Sequence, residues 1–140
     1  MRKAVAILDI LNTLLVLALL ASLFFPVYNT NRDKKGYEES VYNLKSLARA
    51  LEKSYLETGS YPVFESLSDI SGSDSVLITE GYLDQVPTED FWGRAFIGTG
   101  DDKGYNLKGF GITSRSKSIV REHPDFSFTK GVKLKKKGQK

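Results

Sequence analysis

Polar and apolar positions divide this chain into two parts. From Ala4 to Tyr28 almost every residue is apolar; Asp9, Asn12, Thr13 and Ser22 are the polar exceptions. At 1.5 Å rise per residue this run covers roughly 35 Å as a helix, more than the ~30 Å of a bilayer core. It predicts one membrane-spanning stem. From Tyr28 to Gly36 the chain is polar and without period. Pro26 removes a helical hydrogen bond and Gly36 weakens a helix, so a kink or a break is expected between stem and head. From Tyr37 to Glu57 the period of a helix returns. Val41, Leu44, Leu47, Ala48, Leu51 and Tyr55 make one apolar stripe, with charged residues mostly off it. Gly59 stands where a helix C-terminal cap is wanted, and Pro62 blocks continuation.

The second half reads as loops and strands. Ser66 to Val86 is a loop with short helical pieces, one of them at Val76 to Glu80, capped by Ser73 or Asp74 and ended by Gly81. Arg94 to Gly98 and Tyr105 to Ile112 alternate as strands. Between them the glycines and aspartates of Thr99 to Gly104 read as a hairpin turn. A third strand is expected at Asp125 to Thr129, with Val132 to Leu134 as a possible extension. A helix that buries one face needs a sheet to cover it. The expected fold is therefore α+β: a long N-terminal helix, half membrane stem and half amphipathic, packed on a small antiparallel sheet.

Composition narrows the chemistry. The chain has 140 residues and no cysteine, so it has neither disulfides nor a thiolate metal site. His123 is its single histidine, which excludes sites built on paired histidines. The net charge of +3 is unevenly spread. Residues 29–132 hold 13 Lys/Arg against 16 Asp/Glu, whereas the tail from Lys133 to Lys140 holds five lysines. The tail reads as a solvated end, or as a contact for anionic lipid or nucleic acid. The body has no basic stripe with interleaved aromatics, so no nucleic-acid partner is expected. A Ser/His/Asp arrangement around His123 and Asp125 has no nucleophile-elbow sequence behind it. Gly98-Thr99-Gly100 lacks the strand-to-helix setting of a phosphate loop. No enzyme activity and no cofactor are expected.

The apolar run is too long for a secretory signal peptide, and the residues after Pro26 make a poor small-x-small cleavage site. An uncleaved anchor fits better. Asp9 is the informative residue, because a carboxylate deep in a membrane helix costs roughly 2.5–3.5 kcal/mol. Asp9 lies seventeen residues before Pro26, and the small residue Ala4 lies five before Asp9. In this register the chain resembles type IV pilins and the major pseudopilins of type II secretion. The resemblance implies cleavage of a leader, residues 1–4, between Ala4 and Val5 by a prepilin peptidase. It also implies that Asp9 neutralises the free amine of Val5 in a neighbouring subunit. Asp stands here where the family has Glu, and Ala where it most often has Gly.

Two further stretches carry the resemblance. Tyr55-Leu-Glu-Thr-Gly59-Ser-Tyr61-Pro62 follows the order in which the pseudopilin helix ends. Pro87-Thr-Glu-Asp90-Phe91-Trp92-Gly93 is similar to the family's hydrophobic-Pro and Asp-Pro-Trp-Gly signature, with Phe91 in place of Pro and one extra residue after Pro87. The residues themselves suggest roles: Trp92 as an apolar plug at the helix end, Gly93 as a turn of unusual backbone angle, Asp90 as a side chain that bonds its own downstream backbone. The family often binds calcium in a C-terminal loop. The matching region, Gly111 to Asp125, has three cations against Glu122 and Asp125, so no metal is expected.

The resemblance implies a pilin-like fold with a leader at 1–4, an assembly helix at 5–28, a head at 29–132 and a Lys-rich tail at 133–140. It implies a single-pass protein of the bacterial inner membrane whose head is extracytoplasmic. Its partners would be further copies of itself and other pilin-like subunits. The other reading of the same features is an anchored extracytoplasmic binding or adaptor domain that does not polymerise.

Overall fold

The computed structural model describes residues 2–114 and 116–131. The Lys-rich tail at 133–140 and the strand extension expected at Val132 to Leu134 lie outside the described residues. The fold is α+β. In chain order it has a helix α1 (Arg2–Thr58), a 3-10 turn (Leu67–Ile70), α2 (Val76–Thr79), β1 (Ile97–Asp101), β2 (Gly104–Gly109), α3 (Lys117–Glu122) and β3 (Phe126–Lys130). The chain divides into two compact units, Met1–Lys35 and Gly36–Lys140.

The first unit is the apolar part of α1. Its Val, Ile, Leu and Phe side chains are exposed all round. The helix is long and apolar enough to cross a membrane, with a mean hydropathy of 2.4 over its best window. Its serine and threonine hydroxyls are satisfied within the helix. Thr13 Oγ1 donates to the Asp9 carbonyl, Ser22 Oγ to that of Leu19, and Thr30 Oγ1 to that of Pro26. That economy matters in hydrocarbon, where an unpaired polar group costs several kcal/mol.

Of the kink or break expected between Pro26 and Gly36, the break does not occur. Pro26 lies inside α1, and the helix runs on through Gly36 to Thr58. A proline deletes one donor, and the bonds of the flanking turns carry the helix past it. Gly36 has a different task from breaking a helix. It is buried, and a Cβ added to it would fall inside the Phe91 ring.

In the second unit, α1 buries Gly36, Ser40, Leu44, Leu47, Ala48, Ala50, Leu51 and Ser54. These follow steps of three and four, as one helix face must. The stripe begins earlier than the apolar pattern suggests and contains small residues the pattern passes over. Val41 is half-buried, and Tyr55 faces solvent, stacked on Tyr61 at 4.5 Å. Gly59 ends the helix at φ 81°, its N–H donating to the Tyr55 carbonyl.

The sheet is antiparallel in the order β1-β2-β3. Leu107 stands opposite Gly98 on one side and Phe128 on the other. β2 alternates between core and solvent, with Tyr105, Leu107 and Gly109 inward and Asn106 and Lys108 outward. Leu107 and the α1 leucines form one core with Tyr61, Phe64, Leu67, Ile70, Leu77, Val86 and Phe96. The hairpin is tighter than expected. Asp101 pairs with Gly104, so the turn is Asp102-Lys103 alone, and Asp101 Oδ1 accepts from the N–H groups of Lys103 and Gly104.

Two local expectations change. Ser75, not Ser73 or Asp74, precedes the first residue of α2. The Gly111 to Asp125 stretch, read as loop, contains α3.

Candidate functional site

In the stem unit, Ala4, Val5 and Asp9 all lie in α1 and all are exposed. Asp9 is one turn C-terminal to Val5 on the same helix, so the two project from neighbouring positions of one face. Pro26 lies farther along that helix, also exposed.

In the head unit the signature residues come together in two places. The first is the turn at Asp90. The Asp90 side chain is wholly shielded from solvent. Its Oδ1 accepts from the N–H groups of Trp92 and Arg94, both at 2.9 Å, and its Oδ2 takes Arg94 Nε at 2.6 Å. Gly93, at φ 77°, lets the backbone reverse so that the Asp90 N–H meets the Arg94 carbonyl. The residues after Pro87 form a short ladder: Glu89 bridges Ala95, and the Phe96 N–H donates to the Thr88 carbonyl. Asp90 and Gly93 thus have the local roles their residue types suggest.

Trp92 does not. It is half-buried and stands outside the core, with the Arg94 guanidinium over its ring at 4.9 Å. Phe91 is the ring that reaches the helix. Its N–H donates to Ser40 Oγ at 3.0 Å, while Ser40 Oγ donates to the Gly36 carbonyl at 2.7 Å. A proline at this position would have no N–H to give.

Arg94 extends the turn toward the C-terminal loop. Its Nη2 donates to the carbonyls of Phe110, at 3.3 Å, and Gly111, at 2.9 Å. Arg94 lines one side of an open depression of about 590 Å³, with Thr113, Ser114, Val120, His123 and Asp125. This depression coincides with the region matched to a calcium loop. Asp125 is the carboxylate on its wall; its Oδ1 accepts from the Gly111 N–H, and Lys108 lies 3.7 Å from its Oδ2. Among the described residues no three His, Asp or Glu side chains gather as a metal-ligand set. A guanidinium ties these loop carbonyls together. His123 packs edge-on against Tyr37 at 5.0 Å and meets the Ile119 carbonyl through Nδ1. The structure pairs it with no serine among the described residues.

The second cluster lies at the helix exit. Tyr61 is buried directly after Gly59, and Pro62 follows it half-buried. The Tyr61 hydroxyl donates to Glu52 at 3.3 Å. The Tyr105 hydroxyl and Lys130 Nζ also donate to Glu52, both at 2.9 Å. One carboxylate thus joins α1, the helix exit, β2 and β3. Partial burial pushes the Glu52 carboxyl up, but the hydrogen bonds from Lys130 and Tyr105 outweigh it and hold it below its ordinary value. Burial, and then the Glu52 charge, raise Tyr61. Burial, and then the bond to Glu52, raise Tyr105. The bond to Glu52 raises Lys130. Beside this cluster, Tyr82 donates to Glu57, which pushes its hydroxyl up to about 12.

Sequence reading missed Glu52, Arg94, Gly36 and Ser40 as organisers. Arg94 four residues after Asp90 was a usable signal. So were Gly36 and Ser40, which extend the apolar stripe backwards in steps of four. Nothing local marked Glu52, whose partners lie 9, 53 and 78 residues away.

The chain matches no family model, no curated protein and no solved structure.

Proposed function

We propose that this chain is a pilin-like structural subunit that assembles into a filament of a type II secretion or type IV pilus-like system. One observation carries the reading most. A single helix begins in a fully exposed apolar stem bearing Asp9 and continues as the core helix of a small antiparallel sheet. A stem without any burial of its own needs lipid or other stems around it. The Asp90-Trp92-Gly93 turn and the Gly59-Tyr61-Pro62 exit support the same reading, because both are built as tight structural corners.

In this reading the protein crosses the bacterial inner membrane once, with its head outside the cytoplasm. A prepilin peptidase removes residues 1–4, cutting between Ala4 and Val5. The stem then leaves the bilayer and packs among the stems of other copies. Asp9 meets the new amine of Val5 in a neighbour, in an apolar medium where an unpaired charge is costly. The protein works by assembly rather than by catalysis.

Mass spectrometry of the N-terminus, on protein recovered from a strain with an active prepilin peptidase, tests the reading. A mature chain beginning at Val5 is expected. Recovery of intact Met1-Arg2-Lys3 overturns processing and favours the second reading, an anchored binding or adaptor domain that does not polymerise.

A further inference from the structure

One side chain of the stem has polar atoms that its own helix does not use. Thr13 and Ser22, in the apolar run, each donate to a carbonyl of the preceding turn. The Asn12 side chain is exposed, and among the described residues it makes no hydrogen bond. An amide carries two N–H donors and an oxygen with two lone pairs. Water would meet all of them, but hydrocarbon meets none, and each group left unpaired there costs free energy.

Depth decides whether Asn12 escapes that cost. With the stem across the bilayer, as proposed above, Asn12 lies about 12 Å along the axis from Ala4 and about 24 Å from Tyr28. A hydrocarbon core of ~30 Å therefore extends past it on both sides. A lysine reaches toward the headgroups along its long stem; asparagine, with one methylene, does not. Its position round the helix is also defined. Val5, Asp9, Asn12, Val16, Leu19 and Leu23 follow alternating steps of four and three and make one face. Such an alternation is the seam along which two helices pack at a small crossing angle. Leu14, about 200° round from Asn12, lies on the opposite face.

We infer that Asn12 holds the stem in a parallel pair with a second copy of this chain in the bilayer, each amide donating to the oxygen of the other. Two physical features select a second copy. An amide is complementary to itself, because it both donates and accepts. Insertion also fixes the direction and the depth of the stem, so any two copies bring Asn12 to the same level. A foreign helix would need a polar group at that one level. The second N–H of each amide is then available to the Asp9 carboxylate of the partner, one turn along the same seam.

Such a pair is two-fold and closed, whereas a filament contact is head-to-tail and open. The pair is therefore a form of the protein in the membrane, which entry into a filament would replace. The inference rests on the proposed membrane span and does not depend on polymerisation.

The absence of cysteine allows a clean test. Full-length Val16→Cys protein is purified, reconstituted in phosphatidylcholine vesicles at high lipid excess and oxidised with a bilayer-permeant oxidant. A disulfide-linked dimer is expected, with about fivefold less from Leu14→Cys on the opposite face. Adding Asn12→Leu to Val16→Cys should lower the yield to that of the Leu14→Cys control, while Asn12→Gln, which keeps the amide, should retain most of it. Leucine eases insertion, so a lost dimer would not mean a lost span. Equal yields from Val16→Cys and Leu14→Cys, or a dimer indifferent to Asn12→Leu, overturn the pairing. Cross-linking in cell membranes but not in these vesicles also overturns it, and assigns Asn12 to another membrane protein. The vesicles contain no peptidase and no filaments, so the two readings fail separately. Filaments in cells from a chain that stays monomeric in vesicles remove the pair and keep the filament reading. A dimer in vesicles from a chain recovered from cells with an intact N-terminus and no filaments does the reverse.

Discussion

Arg94 Nε lies 2.6 Å from Asp90 Oδ2, and the two residues are joined a second time through the Arg94 N–H and Asp90 Oδ1. The carboxylate is wholly shielded, while the guanidinium is about one third exposed. Asp90 therefore depends on Arg94 more than Arg94 depends on Asp90. Asp90→Ala removes the acceptor of two backbone N–H groups and leaves the guanidinium tied to Phe110, Gly111 and Thr113. A loss of about 2–4 kcal/mol is expected, allowing for the partial exposure of Arg94. In a thermal melt of the full-length protein in detergent this is a fall of at least about 8 °C. Arg94→Lys keeps the charge but not the fork that reaches four acceptors, and should cost roughly half as much. Equal melting of both variants and the parent would remove this turn as a structural corner.

Gly36→Ala separates helix propensity from packing. In an exposed helix the change stabilises by about 1 kcal/mol. Here the new methyl group meets the Phe91 ring, and destabilisation of about 1–3 kcal/mol is expected instead. Combining it with Phe91→Ala should recover part of the loss, giving a coupling energy on the order of 1 kcal/mol in a double-mutant cycle. Additive effects would mean that the two sites do not touch.

The Glu52 cluster gives the head a pH window. The folded Glu52 carboxyl lies below the ordinary 4.5, so its contribution is complete above that value and lost as pH falls through the folded one. Lys130 is raised above 10.5, so its contribution is complete below that value and lost as pH rises through its folded one. Tyr61 and Tyr105 are raised above 10.0, so unfolded chains lose these protons first and stability falls further in alkali. Glu52→Gln should lower the urea midpoint at neutral pH and flatten both limbs. A variant whose midpoints track the parent at acid, neutral and alkaline pH would show that the cluster contributes nothing.

Asp9→Ala tests the stem. Removing a carboxylate from an apolar run eases insertion, so membrane content should be unchanged or higher. Incorporation into filaments should drop below detection, and Asp9→Glu should retain it. Normal incorporation of Asp9→Ala would end the role proposed for this carboxylate.

Much of this was legible in the chain itself. The stem, the head helix, its cap at Gly59 and the second and third strands each follow from local period and turn chemistry, which neighbouring residues set among themselves; the first strand does not, since β1 runs Ile97–Asp101 through residues that read as turn, not Arg94 to Gly98. Asp90 and Gly93 were legible for the same reason: a side chain bonding its own downstream backbone, and a glycine free to take a positive φ, act within four residues. The tertiary structure decided what local rules misjudge. Gly36 reads as a weak point in a helix, yet it is small because Phe91, 55 residues on, lies against it. Trp92 reads as the plug by size, but Phe91 has the place at the helix because its N–H meets Ser40. Glu52 looks like one charge among several on a polar face until Tyr61, Tyr105 and Lys130 converge on it. Contacts between residues distant in sequence leave no local period, and those are the contacts that hold the helix to its sheet.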